Sequence, residues 1–145
     1  MSEYRLHVAV VKHINSAFIG THNPNFKFWH TPNQTKDASE AFFNKQMGVM
    51  VGVPDLMFGW PRRNVGVIEL KTDKNQLSPP QTRFMSWASD VGWNHGVART
   101  VKQVHDILLS WGLKAAHHSI IEPDHADKEQ KQTRAFEFYA SKETK

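Results

Sequence analysis

The chain has 145 residues, a length that suits one compact domain and is short for two. Hydrophobic residues make up 39% and charged residues 22%, the balance of a folded soluble protein, and the net charge of +4 suits an anionic partner without requiring one. The absence of cysteine excludes disulfides, thiolate catalysis and cysteine-based zinc sites, so a metal would have to be held by oxygen or imidazole.

The start, Met1 to Arg5, lacks the basic stretch and apolar run of a secretory signal, and no apolar stretch approaches a membrane span; an intracellular protein is expected. Leu6, Val10, Ile14 and Phe18, joined by Val11 and Ala17, recur at helical spacing and predict an amphipathic helix over 3–18, stopped by Gly20. Residues 26–30 form a short strand candidate closed by Thr31-Pro32-Asn33, and the polar stretch 34–45 is a loop with some helix around 38–46. Strands over 53–58 and 65–72, separated by Gly59-Trp60-Pro61-Arg62-Arg63-Asn64, predict a β-hairpin. Ser78 as N-cap, followed by Pro79 and Pro80, opens a helix over 79–91 with Phe84, Trp87, Ala88 and Val91 on one face. A strand over 95–98 and a helix over 101–111, ended by Gly112, complete the core. Beyond Leu113 the chain turns polar; residues 114–145 read as an extension packed on or trailing from a domain over 1–113, with Phe136, Phe138 and Tyr139 able to dock a last element.

The chemistry concentrates in Gly52-Val53-Pro54-Asp55-Leu56 and Ile68-Glu69-Leu70-Lys71. A strand sends residues i and i+2 to one face, so Glu69 and Lys71 project together while Ile68 and Leu70 point into the core. A hairpin closing around Pro61-Arg62-Arg63 pairs residues whose numbers sum to 124, which sets Asp55 across from Glu69. Facing Cβ atoms lie about 4.5–5.5 Å apart, and two carboxylates at that distance need a cation or a proton between them. Oxygen ligands suit Mg²⁺ or Mn²⁺, and Lys71 adds a fixed positive charge, a combination fitted to phosphodiester hydrolysis.

These words, with Ile68-Glu69-Leu70-Lys71-Thr72, Leu77-Ser78-Pro79-Pro80-Gln81 and the upstream His30-Thr31-Pro32-Asn33, resemble the PD-(D/E)XK nucleases and within them the VRR-NUC (virus-type replication-repair nuclease) branch, over roughly residues 3–113. The resemblance implies an α/β, restriction-endonuclease-like core: a central mixed β-sheet flanked by helices in the order α-β-β-β-α-β. It implies that Asp55 and Glu69 bind metal, that Lys71 positions or activates the attacking water, and that Gln81 supports the site. It also implies an acid on the first helix, for which Glu3 is the candidate and Glu40 the substitute. Implied too are a DNA substrate, structure-specific cleavage in phage replication, recombination or repair, a viral or prophage origin and a homodimer. The alternative is a DNA-binding protein that keeps the fold without turnover.

His30, Lys36, Arg62 and Arg63 are candidate DNA contacts, the arginines with Trp60 on a hairpin tip near the acidic pair. The segment Gln34-Thr35-Lys36 departs from the family, which has a glycine and an arginine there. His117, His118 and His125 match no common zinc spacing and are expected to be solvated. Trp87, Trp93 and Trp111 are expected in the core.

Overall fold

A computed structural model describes residues 1–32 and 37–123; Lys36, His125, Phe136, Phe138 and Tyr139 lie outside the described residues. Helix α1 (Glu3–Ala17) starts where the Ser2 hydroxyl accepts the Arg5 N–H, and its repeat of Leu6, Val10 and Ile14 is fully buried. Strand β1 (Lys27–His30) and helix α2 (Ala38–Gln46) follow, then the hairpin of β2 (Leu56–Trp60) and β3 (Asn64–Leu70). Helix α3 (Pro79–Asp90), strand β4 (Asn94–Ala98) and helix α4 (Val101–Ser110) close the order.

The four strands form one sheet in the order β1-β2-β3-β4. The first two pairings are antiparallel and β3 with β4 is parallel, because α3 carries the chain back across the sheet between them. This is an α/β fold with a mixed sheet flanked by helices. The order α-β-β-β-α-β is present, with α2 between β1 and β2 and α4 after β4. No helix among the described residues is long and apolar enough to cross a membrane.

Alternation along β3 divides the core between the two faces. Ile68 and Leu70 pack with Leu6, Val10 and Ile14 of α1 and with Val104 and Leu108 of α4, whereas Val67 packs with Met85 and Ala88 of α3. Gly66 fits the first face by having no side chain, since a Cβ there would lie 2.4 Å from the Trp111 ring. Trp111 is half-buried and stacks on Trp60 at 5.7 Å, so Trp60 belongs to this packing and not to the hairpin tip. Trp93 packs beside α3, but Trp87 remains 47% exposed at the edge of that cluster, against expectation.

Two boundaries at the hairpin differ from the sequence reading. Residues 53–55 are not strand: Gly52 has φ 92°, and Pro54 has no N–H for the ladder, so β2 begins at Leu56. Lys71 and Thr72 lie past β3, although the Lys71 N–H still bonds the Ala98 carbonyl; Asp73, with φ 49°, then turns the chain away. The polar segment after Leu113 is folded onto the core as far as it is described. Lys114 N–H donates to the Asn23 side chain, Ala116 N–H donates to the Ala17 carbonyl, and the Glu122 carboxylate accepts the Val101 and Lys102 N–H groups at the start of α4.

Candidate active site

The β2–β3 register runs from Leu56 opposite Ile68 to Trp60 opposite Asn64, so paired residue numbers sum to 124 and the next step sets Asp55 across from Glu69. Asp55 is fixed from two sides. Its Oδ2 accepts the Leu70 N–H at 2.8 Å, and its carbonyl accepts the Thr31 N–H at 3.1 Å, which ties the end of β1 to the open end of the hairpin. Gly52 presses the preceding loop against the first turn of α3: a Cβ at this position would come within 2.6 Å of the Pro80 carbonyl. Asp55 and α3 are thereby held in one block.

Glu69 is 3% exposed, facing α3. Gln81 reaches it from that helix, donating Nε2–H to Glu69 Oε1 at 3.0 Å. The orientation of Gln81 is set by a capping box, in which its Oε1 accepts the Ser78 N–H and its own N–H donates to the Ser78 hydroxyl. Lys71 Nζ lies 3.8 Å from Glu69 Oε1. Burial, the charge of Asp55 and a hydrogen bond shared with the Asp55 carboxyl push the Glu69 carboxyl up to about 8, against the smaller opposing pull of Lys71. A carboxyl that resists ionising thus sits beside a second acid at a place where water is largely excluded, and a divalent cation would answer the same electrostatic demand with oxygen donors already in place.

A second group meets at Asp55 from the other face. Glu3, Tyr4, His7 and Val8 of α1 line a cavity of about 300 Å³ with His30, Pro32, Asp55 and Leu70. Glu3 therefore shares a cavity with Asp55. Glu40 lies on α2, its backbone N–H capped by Asp37. His30 stands beside the acidic group, with Nδ1–H donating to the Asp55 carbonyl at 2.7 Å. His7 is a residue that the sequence motifs do not mark, and its one signal is its place one helical turn after Glu3, on the same face of α1.

Arg62 and Arg63 are exposed at the closed end of the hairpin, whereas Asp55 and Glu69 are at its open end. The intervening strand spans on the order of 20 Å at about 3.3 Å per residue, so the arginines are not beside the acidic pair. Both have left-handed backbone, φ 72° and 62°. His117 and His118 are not simply solvated. His13, buried in α1, bonds through Nε2 to His105 Nδ1 at 2.7 Å, and His105 Nε2 bonds to His118 Nδ1 at 2.8 Å, while His117 bonds the Ser16 hydroxyl. Burial, with His105 and His117 close by, lowers His13 to about 4.

Topology and helix placement define an α/β fold, a four-stranded mixed sheet flanked by helices. A solved structure described as a "VRR_NUC domain" is similar to this chain with a TM-score of 0.48 and 19% identity, over 74% of this chain and 94% of that one. No protein-family model and no curated protein matches the chain.

Proposed function

We propose that the protein is a metal-dependent nuclease that hydrolyses DNA phosphodiester bonds, with branched or junction DNA of phage replication, recombination or repair as its substrate. The observation that carries this reading is the buried Glu69 carboxyl, held by Gln81, faced by Asp55 and flanked by Lys71. Asp55 and Glu69, with Glu3 from α1, would hold Mg²⁺ or Mn²⁺. Such an ion, when bound, lowers the pKa of a water and stabilises charge on phosphate oxygens. Gln81 orients Glu69, and the Lys71 ammonium offers a fixed positive charge to a phosphate or to the attacking water. No serine or cysteine nucleophile is required, since water attacks directly.

Arg62 and Arg63 would hold the DNA backbone about 20 Å from the cut, a distance that a duplex of about 3.4 Å rise per base pair spans in some six steps. A homodimer is proposed with the outer face of α2 as its contact, because Phe42, Phe43 and Met47 there are each at least 60% exposed. Sedimentation at micromolar concentration should find two chains per particle; a monomer there removes this part of the proposal.

The decisive measurement is Mg²⁺- or Mn²⁺-dependent cleavage of single-stranded, duplex, flap and four-way DNA by the protein and by Asp55→Asn and Lys71→Met. Both variants should lose about a hundredfold or more in rate, with DNA affinity changed far less, because both groups act mainly in the transition state. Tight DNA binding without cleavage by the unaltered protein would leave a binding module that retains the fold. If affinity collapses in step with rate in Lys71→Met, Lys71 is a phosphate clamp.

A further inference from the structure

We propose that His7 and His30 join Asp55 in a second metal site, on the α1 side of the sheet, that takes a divalent transition ion of the imidazole-seeking kind, Zn²⁺ or Co²⁺. The inference rests on the Asp55 carboxylate of the proposed active site and extends it to a different donor set. One nitrogen of each histidine and one Asp55 oxygen all lie within 4.8 Å of one another, in the cavity lined by α1 and the end of β1. An ion bound at about 2.0–2.2 Å leaves tetrahedral donors about 3.4 Å apart, so these three side chains need to close by roughly 1 Å.

The tautomer of His30 follows from its partner. A carbonyl only accepts, so the bond to Asp55 puts the proton on His30 Nδ1 and leaves Nε2 with the lone pair a metal takes. Metal-binding histidines are commonly held in this way by a carbonyl or carboxylate on the opposite ring nitrogen. The His7 ring meets His30 edge-on with centroids 4.4 Å apart, which brings the two imidazoles to the same wall of the cavity. Glu3, one turn before His7 and lining the same cavity, supplies a fourth position. Two nitrogens with a carboxylate favour Zn²⁺ and Co²⁺, whereas the carboxylates around Glu69 favour Mg²⁺ and Mn²⁺. Asp55, and Glu3 where it joins, are common to both groups. A transition ion on the α1 side therefore competes for Asp55, or shares it with a second ion.

The test is calorimetric titration of the chelator-treated full chain with Zn²⁺ and with Mg²⁺, alongside Co²⁺ followed by its visible absorption, in the unaltered protein and in His7→Ala and His30→Ala. His7→Gln and His30→Gln serve if an alanine variant melts early. We expect each substitution to weaken Zn²⁺ and Co²⁺ at least about tenfold more than it weakens Mg²⁺, and to change the cobalt spectrum. Equal Zn²⁺ affinity and an unchanged cobalt spectrum in both His7 and His30 variants overturn the proposal, and that result also covers an ion held by His117 and His118. If those variants are silent while Asp55-dependent cleavage with Mg²⁺ persists, this site fails and the nuclease reading stands. If the histidines bind Zn²⁺ but no metal supports cleavage, the site stands and the nuclease reading fails.

Discussion

Glu69 is where a single side chain reveals the most. In the folded, metal-free protein it keeps its proton well above the range of an exposed carboxyl, because burial and Asp55 both disfavour its charge. The unfolded chain releases that proton near its ordinary value. Between the two, the folded state binds more protons, so this residue makes the metal-free fold less stable as pH rises from about 4.5 to about 8. A bound cation replaces the proton. We expect Mg²⁺ or Mn²⁺ binding near neutral pH to release on the order of one proton, and affinity to climb with pH until Glu69 ionises unaided. Titrations in buffers of different ionisation heat would count the protons. Binding heats independent of the buffer, with affinity flat through neutral pH, would show that the ion does not bind at Glu69.

At the scale of elements, the hairpin register was legible because alternation, turn length and the placement of two prolines admit one solution, and it set Asp55 across from Glu69. The turn itself was less legible. Arg62 and Arg63 adopt a backbone that costs an ordinary residue about 1 kcal/mol or more, where asparagine or glycine is the usual choice. Two arginines in this backbone suit a use outside folding, which the DNA-contact proposal provides. Arg63→Gly should raise the melting temperature, by roughly 0.5–1 kcal/mol of stability, while weakening DNA binding. A variant that gains stability and keeps full DNA affinity would remove the arginine from the interface. The distance of this turn from the acids is not legible in the sequence, because residues near along the chain are held apart by the extended strands of the hairpin.

For the whole molecule, the pattern of apolar residues was enough to order the strands and helices, since each buried face follows from period 2 or 3.6. The placement of His7, and the line from His13 through His105 to His118, depended on which helix lies against which, and α1 meets α4 only in the folded chain. That line sets the response to acid. His13 and His105 are both held neutral by burial and by neighbouring histidines, so the unfolded chain takes up protons first as pH falls. The contribution of His13 should be flat above about pH 6.5 and decline down to about pH 4, by on the order of 2–3 kcal/mol, against the opposite slope that Glu69 sets in the metal-free protein. Urea unfolding across this window, repeated with His13→Gln, measures it. The same slope in the variant would assign the acid response elsewhere.

The Glu122 carboxylate accepts the first free N–H groups of α4 from twenty residues farther along the chain. A helix start normally finds its acceptor in the residue just before it, and Thr100 does cap α4 at Gln103, yet two further amides depend on a distant segment. The polar stretch after Leu113 therefore acts as a clasp: it fastens to the end of α1 at Ala17, crosses the histidine line at His118 and latches the start of α4. A protein shortened to residues 1–113 should still collapse, because it loses only Ala115 and Ile120 from the edge of the core, but with those amides stripped of their acceptor and His105 left with His13 alone it should melt earlier, by roughly 2–4 kcal/mol of stability, and exchange its α4 amide hydrogens first. Glu122→Gln in the full-length chain isolates the latch, and unaltered exchange at Val101 and Lys102 in that variant would show that it fastens nothing.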